Sequence, residues 1–250
     1  MAVDVDRRGA VTVITLNRPE AANSLDPETI SGIGRALVDA EQDDSVRAVV
    51  LTGAGDRVFC AGMDLKAFTE GRRGGTGDGP GLEVLNRQVY PKPTIAAVNG
   101  AAVAGGFELA IACDLIVAAD HARFGIPEVK RGLVAAGGGT RLPRRLPLAI
   151  ALELGLTGDL IDAPRALALG LINRVVPGPD VLDTAIELAD HLSENGPLAL
   201  KVTKQLMYSI IGNSDWDAIS EAVAPVFSSN DAIEGATAFK EKRTPHWTGT

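Results

Sequence analysis

Two glutamates occupy positions in the sequence where a charged side chain is unexpected. Glu108 is the first charged residue in the mainly small and apolar run "AVAGGFELAIACDLIVA" (102–118), and Glu128 follows Pro127 in "ARFGIPEVKRG" (122–132). Burying a carboxylate without a partner costs several kcal/mol, so something must compensate each of them. Two carboxylates that share a pocket but have unequal surroundings are suited to acid–base chemistry at neutral pH.

Each glutamate also has a simpler explanation. A helix is predicted to begin near Gly105, which puts Glu108 in a first turn, where free N–H groups and the positive helix end favour negative charge. Glu128, directly behind a proline, is explained in the same way, and taken singly each glutamate is better read as a helix-start residue. The twenty residues between them leave room for a helix, a strand and a return, which can bring both to one end of a sheet.

A third stretch offers backbone donors. In "VFCAGMDLKAF" (58–68), Asp64 is predicted to cap a helix that starts at Leu65. The N–H groups of this turn and of Gly105, where paired glycines let a ligand approach the backbone, would form a two-donor anion hole if they converge. Lys66 is predicted to lie close enough to contact an anionic ligand, although an ordinary exposed lysine explains it as well.

Composition excludes several classes of protein. The chain has 250 residues, 46% of them hydrophobic and 22% charged, which suits one large domain with or without a small appendage. Its formal charge of −8 disfavours a broad electrostatic surface for nucleic acid or an anionic membrane, although the basic clusters at 141–145 and 240–243 remain candidate anion sites. Without an apolar signal core or a run of roughly 18 apolar residues, we expect a soluble cytoplasmic protein.

The cysteines and histidines do not suggest a site of their own. Cys60 and Cys113 lack the spacing of a disulfide framework or a metal site and are predicted to be core residues. His121, His191 and His246 are scattered, without metal-ligand spacing and without a serine nucleophile to serve, and are predicted to be surface or structural residues. We therefore expect no metal site. The glycine-rich signatures of dinucleotide and nucleoside triphosphate sites are also absent.

Strands and helices alternate through about residue 177. Continuously apolar, β-branched runs predict strands covered on both faces at 11–16, 46–53, 94–100, 114–120 and 171–177. Asp26 and Pro27 predict the start of a helix whose buried face includes Ile33 and Leu37. The remainder predicts helices only, at 179–194, 197–211, 215–227 and 230–243. The class is therefore α/β. The glycine-rich stretch 70–81 is interpreted as a surface loop, with a lid as the alternative.

Taken together and in order, these stretches resemble the crotonase (enoyl-CoA hydratase/isomerase) superfamily. The resemblance begins with "ITLNRPEAANSL" (14–25) and continues through "FCAGMDLK" (59–66), "KPTIAAVNGAAVAGGFELAIACDLIVAAD" (92–120) and "ARFGIPEVKRGL" (122–133). It is completed by "LTGDLIDAPRALALGLINRVVP" (156–177) and "EGATAFKEKRTPHW" (234–247). Each segment alone is weakly diagnostic, whereas their order and spacing are specific.

The resemblance implies a fold, a ligand and an assembly. The fold would be a spiral of repeated β-β-α units over 1–195, followed by a helical region over 196–250 that mediates trimers, often paired as hexamers. The ligand would be an acyl-CoA thioester, with coenzyme A entering as part of the substrate and no metal or redox cofactor required. Neither nucleic acid nor a membrane is expected as a partner.

The resemblance also implies roles for individual residues. Met63 and Gly105 would supply the N–H pair that binds the thioester oxygen, and Glu108 and Glu128 would be the two catalytic carboxylates. The residues expected to hold the adenine and phosphate part of CoA are Ala61, Asp64, Leu65 and Lys66. Lys242, in "FKEKR", would reach the CoA of a neighbouring subunit.

The implied reaction is the reversible hydration of a trans-2-enoyl-CoA to a 3-hydroxyacyl-CoA, as in fatty acid metabolism, by a hydro-lyase of the enoyl-CoA hydratase type. Two main alternatives stay open: an enoyl-CoA isomerase, which can work with one carboxylate, and a catalytically weak acyl-CoA-binding relative. A hydrolase or decarboxylase of the family is a further, less favoured alternative, since fold does not fix function. Two departures from the family pattern bear on the substrate. The segment "VAAGGGTRL" (134–142) lacks a proline and is one residue shorter, and Met63 replaces a common alanine, which can reshape the acyl pocket.

Overall fold

A computed structural model describes residues 1–71, 79–86, 89–210, 224 and 227–246. Most of the glycine-rich stretch 70–81 and most of the predicted helix 215–227 therefore lie outside the described residues.

The strands are β1 (Val3–Arg8), β2 (Val11–Leu16), β3 (Ala48–Gly53), β4 (Val58–Cys60), β5 (Thr94–Val98), β6 (Ala101–Val103), β7 (Leu115–Ala119), β8 (Arg123–Gly125), β9 (Ile161–Asp162) and β10 (Arg174–Val176). The α-helices are α1 (Pro27–Gln42), α2 (Leu65–Thr69), α3 (Glu83–Asn86), α4 (Gly105–Ala112), α5 (Leu148–Thr157), α6 (Ala163–Ala168), α7 (Val181–Ser193), α8 (Pro197–Ile210) and α9 (Asn230–Glu241). Short 3₁₀ helices cover Pro19–Ala21, Pro127–Arg131, Gly139–Arg144 and Gly178–Asp180.

The larger sheet has six strands in the order β1-β2-β3-β5-β7-β10. Its pairs are parallel except for the hairpin β1–β2, in which Val3 faces Leu16. Every residue of β3 and β5 is buried, as their continuously apolar sequences predict. The predicted α/β class and all five predicted strands are confirmed.

The smaller sheet was missed by the sequence reasoning. It has the order β4-β6-β8-β9, and its strands are two or three residues long. Strand β6 lies between β5 and α4, in a segment of small residues for which no strand was predicted. Strand β1 was also missed, because only its first residue is buried and charged residues fill its end.

Helices cover both sheets. α7 packs across β3, β5 and β7, and α1 packs on the β1–β2 hairpin. Asp26 caps α1 by accepting a hydrogen bond from the Thr29 N–H, and Ile33 and Leu37 are fully buried beneath it, as predicted. No strand follows β10 within the described residues, and α7, α8 and α9 match the helices predicted there. The boundary between residues 195 and 196 stays a prediction.

Cys60 and Cys113 are fully buried, which confirms their prediction as core residues. Within the described residues, no helix combines the length and the apolar character needed to cross a membrane.

Helix α4 lies against β4 at backbone distance, and this contact positions the site described below. A Cβ atom placed on Gly106 would lie 2.0 Å from the Cys60 carbonyl oxygen, closer than any real contact. Glycine is therefore required for the helix to approach the strand. The contact brings the start of α4 beside the turn that follows β4.

We expect Gly106→Ala to lower the free energy of unfolding by about 1–3 kcal/mol, because the added methyl group must push α4 away from β4. Gly155, inside α5, is the matched control: its Cβ would meet only the Ile126 side chain, at 3.6 Å. Gly155→Ala should be neutral or stabilising by up to about 1 kcal/mol, since alanine favours helix. Urea unfolding of both variants measures the difference, and equal effects would contradict the close packing.

Candidate active site

Glu108 is held at the start of α4 with its carboxylate buried. Its backbone N–H donates to the Ala104 carbonyl at 3.0 Å, which confirms its place in the first helical turn. The carboxylate Oε1 accepts a hydrogen bond from the Gly139 N–H at 2.7 Å. The N–H groups of Gly137 and Gly138 also stabilise its charged form. Consecutive N–H groups aimed at one point form a nest that suits an anion.

This run of three glycines was not predicted to belong to the site. In the sequence, 134–142 stands out only as a departure from the family pattern. A Cβ on Gly137 would lie 2.6 Å from Glu108 Oε2, and a Cβ on Gly139 would lie 3.2 Å from Oε1. The signal that could have found them is the glycine run itself, because bare backbone is what lets N–H groups surround a carboxylate.

Two opposing effects set the ionisation of Glu108. Burial raises the pKa of its carboxyl from the ordinary 4.5 to about 7, and the N–H groups of Gly139, Gly137 and Gly138 limit that rise by favouring the charged form. A carboxyl with a pKa near 7 exchanges a proton readily at neutral pH.

Glu128 lies on the 3₁₀ helix Pro127–Arg131, which begins at the proline as predicted, and its side chain is buried. Burial, and then repulsion by Glu108, raise the pKa of Glu128 to about 7, with its own backbone N–H and then Arg131 acting in the opposite direction. The two carboxyls are thus close enough to influence each other, as their spacing predicts. Glu128 Oε2 is buried and has no hydrogen-bond partner among the described residues.

Helix α9 forms the outer support of the Glu128 segment. It packs on the 3₁₀ helix Pro127–Arg131 and on α2. A Cβ on Gly235 would lie 1.9 Å from the Arg131 carbonyl oxygen, so the two backbones touch. The Arg131 guanidinium lies over the Phe239 ring, 4.4 Å from its centroid. None of this support was predicted, because it joins segments about a hundred residues apart in the sequence.

The two predicted N–H donors lie next to each other. The Leu25 N–H donates to the Gly62 carbonyl at 2.8 Å, and the Met63 N–H, on the same trans peptide, must point the opposite way. Gly105 is the first residue of α4, where N–H groups have no partner within the helix. A Cβ on Gly105 would lie 3.6 Å from the Met63 nitrogen. The convergence of these two segments, on which the predicted anion hole depends, is therefore present.

The turn before α4 is strained. Ala104 has φ 53° and ψ −131°, a conformation that residues other than glycine rarely adopt. Gly62, with φ 88°, faces it so closely that a Cβ there would lie 2.8 Å from the Ala104 Cβ. Such strain costs about 1–3 kcal/mol and is typical of functional turns.

The remaining predicted site residues surround the same turn. Asp64 caps α2 as predicted, accepting hydrogen bonds from the N–H groups of Lys66 and Ala67. Ala61 and Lys66 are exposed, and Leu65 is half-buried. Lys242 is exposed, and it is itself the residue of left-handed conformation that ends α9. These positions leave the predicted CoA contacts as hypotheses.

The three histidines are exposed, as predicted, and take no part in this site. No group of three His, Cys, Asp or Glu side chains that could hold a metal ion occurs in the part of the chain that the structure describes.

The chain is similar to known proteins over nearly its whole length. The sequence model of the enoyl-CoA hydratase/isomerase family matches residues 6–250. A carnitinyl-CoA dehydratase of Proteus mirabilis is 40% identical over 252 residues, covering 97% of this chain and 96% of that protein. The crystal structure of a carnitinyl-CoA hydratase from Mycobacterium avium is 43% identical, with a TM-score of 0.92 over 100% of this chain and 99% of that one. An enoyl-CoA hydratase from Mycobacterium tuberculosis H37Rv is 49% identical with a TM-score of 0.80, over the same shares of the two chains.

We expect Glu108→Gln to change the pH dependence of stability. In the wild type the pKa of Glu108 rises from 4.5 to about 7 on folding, so folding holds this proton more tightly. The resulting stabilisation is fully present below pH 4.5 and is lost as the pH rises through 7. Relative to wild type, the glutamine variant should therefore gain about 2–3 kcal/mol in unfolding free energy between these limits.

Urea unfolding at several pH values between 4 and 8 measures this gain. Glu187→Gln, on the exposed side of α7, is the control and should follow the wild type at every pH. A difference between Glu108→Gln and wild type that does not vary with pH would show that Glu108 does not carry the proton.

Proposed function

The chain belongs to the enoyl-CoA hydratase/isomerase family, and on that premise we propose that it adds water reversibly to trans-2-enoyl-CoA thioesters, giving 3-hydroxyacyl-CoA. The proposed activity is that of a hydro-lyase of the hydratase type. The observation that carries the proposal is a pair of buried carboxyls, each with a pKa raised to about 7 and close enough to affect each other. Glu108 lies on the helix whose first residue, Gly105, is beside the Met63 backbone nitrogen. Coenzyme A enters with the substrate, and the proposal requires no other cofactor.

The unequal surroundings of the two carboxyls suggest which is the base. Glu108 has three backbone N–H groups that stabilise its ionised form, whereas Glu128 has a buried oxygen without a donor among the described residues. A carboxylate with several donors is suited to remain charged, and one with fewer donors is suited to hold a proton. We therefore assign Glu108 as the base and Glu128 as the acid.

The steps follow from these assignments. Glu108 takes a proton from water as the water oxygen forms its bond to the β-carbon of the enoyl group. The electron pair of the double bond moves toward the thioester carbonyl, and Glu128 gives its proton to the α-carbon. One turnover leaves Glu108 protonated and Glu128 ionised, and proton exchange with solvent restores the pair.

The backbone donors stabilise the charge that develops in this step. The N–H groups of Met63 and Gly105 would donate to the thioester oxygen as it becomes enolate-like, and one such donor is worth roughly 3 kcal/mol. The residues we propose to hold the nucleotide part of CoA are Ala61, Asp64, Leu65 and Lys66. Lys242 would contact the CoA of a neighbouring subunit.

Exposed apolar side chains support self-association, which we propose to be a trimer or a pair of trimers. Leu198 and Leu206, two turns apart on α8, are 72% and 60% exposed, and Met207 beside them is 63% exposed. On α5, Leu148 and Leu156 are similarly exposed at 60% and 72%. Apolar surface gathered in this way is typical of protein–protein contacts.

We expect Glu108→Gln and Glu128→Gln each to lower kcat for crotonyl-CoA by about 100-fold or more, since each removes one proton-transfer group. Binding of the CoA ester should change little, because neither carboxyl is assigned to hold CoA. Steady-state kinetics and calorimetric titration with a saturated acyl-CoA measure both quantities. Glu187→Gln serves again as the exposed control.

The same assay separates the alternatives when a 3-enoyl-CoA is supplied beside crotonyl-CoA. Turnover of the 3-enoyl-CoA alone, surviving in one of the two glutamine variants, would identify an isomerase with a single acid–base group. Unchanged affinity with no wild-type turnover of either ester would identify an acyl-CoA-binding protein. Hydration of crotonyl-CoA is the result that we expect.

The relatives named for carnitinyl-CoA raise the question of which acyl group is accepted. We expect an uncharged enoyl-CoA to give a higher kcat/KM than the dehydration product of carnitinyl-CoA, whose acyl chain carries a trimethylammonium group. Such a group is commonly bound on an aromatic face, and the Phe239 ring beside the Glu128 segment already carries the Arg131 guanidinium. Kinetics with the two substrates test this, and a preference for the charged acyl chain would overturn it.

A further inference from the structure

Arg18 joins three segments around the anion hole. Its Nη1 lies 3.1 Å from Asp26 Oδ2, and its Nη2 lies 3.1 Å from Asp64 Oδ2. Nη1 also donates to the Ser24 carbonyl at 2.9 Å. The side chains of Arg18, Asp26 and Asp64 are only 20%, 15% and 17% exposed, so these ion pairs are screened by solvent less than surface pairs are.

Both of its partners are helix caps. Asp26 uses Oδ1 to accept the Thr29 N–H at 2.8 Å, and Asp64 uses Oδ1 to accept the Lys66 and Ala67 N–H groups at 3.1 Å. Each carboxylate thus gives one oxygen to its own helix and the other to Arg18. The guanidinium therefore fixes the start of α2 relative to the start of α1, with two donors in a rigid planar fork.

Met63 lies between two backbone hydrogen bonds that join its turn to Leu25. On one side, the Leu25 N–H donates to the Gly62 carbonyl at 2.8 Å; on the other, the Asp64 N–H donates to the Leu25 carbonyl at 3.1 Å. Asp64 follows Met63 directly, so the position of Asp64 constrains the backbone at Met63. Among the described contacts, two reach the Asp64 side chain from outside α2. They are the ion pair with Arg18 and a longer contact of 3.4 Å with the Ser24 hydroxyl.

We propose that Arg18 is a positioning residue for the reaction: by tying Asp64 to Asp26, it holds the Met63 N–H at the angle at which it meets the thioester oxygen together with the Gly105 N–H. Arg18 itself does not touch the reacting atoms. This inference rests on the proposed function, since it assigns a determinant of the same anion hole.

The test measures the anion hole directly. The infrared carbonyl stretch of butyryl-CoA, labelled with ¹³C at the thioester carbon and unable to be hydrated, reports polarisation of the bound carbonyl. In the wild type the stretch should move to lower frequency on binding. Arg18→Gln should lose most of this shift and lower kcat for crotonyl-CoA roughly 10- to 100-fold, as small misplacements do, with a smaller change in KM. Arg18→Lys, which can pair with only one carboxylate, should be intermediate.

Arg7→Gln is the matched control, because Arg7 also joins two segments but lies away from the site. It pairs with Asp43 at 3.4 Å and donates to the Ser45 hydroxyl at 3.0 Å, tying β1 to the end of α1. The control should keep both the carbonyl shift and kcat. An equal loss in Arg7→Gln would reduce the effect of Arg18 to general loosening and would overturn the proposal.

A second variant keeps the test decisive if Arg18→Gln does not fold. Asp64→Asn retains an oxygen that caps α2 but loses the charge that Arg18 binds. It should lose the carbonyl shift to a similar extent, and the double variant should be no worse than either single one, as expected of two residues acting through one contact. Additive losses would contradict the coupling.

The outcomes distinguish this inference from the proposed function. If wild-type protein binds butyryl-CoA without any carbonyl shift, the anion hole fails and the proposed function fails with it. If the wild type shows the shift and both Arg18→Gln and Asp64→Asn retain it, only the role of Arg18 is overturned.

Discussion

The balance between burial and backbone donation at Glu108 is the constraint on which the rest of the site depends. A carboxyl removed from water would simply keep its proton, and one left in water would be too weak a base. The bare backbone of Gly137, Gly138 and Gly139 supplies donors without side chains, so Glu108 is buried and yet can ionise. Its carboxyl can therefore exchange a proton near neutral pH only while that loop remains against it.

Close backbone contact recurs wherever two parts of the site meet. Gly106 lets α4 lie on the Cys60 carbonyl, and Gly235 lets α9 lie on the Arg131 carbonyl. At Ala104, which Gly62 approaches closely, the backbone is also strained. The two N–H donors, the two carboxyls and the outer helix are thus held by contacts that leave little room for adjustment, as preorganised electrostatic stabilisation requires.

Much of the fold could be predicted because the signals are local. Asp26 and Asp64 were predicted as caps, and Glu108 was predicted in a first turn, because capping and helix-end electrostatics act within a few residues. The strands β4, β6, β8 and β9 were not predicted, since two or three residues give no usable periodicity. The partners of Glu108 and Asp64 were also missed. Gly139 and Arg18 are 31 and 46 residues distant from them, and no pattern within a single sequence links such positions.

The contact between α9 and the Glu128 segment has a consequence for how the molecule is made. Every strand of the two sheets precedes α9 along the chain. During synthesis, all of these strands therefore leave the ribosome before the helix that packs on the Glu128 segment. Of the described elements that form this site, α9 is therefore the last to be synthesised.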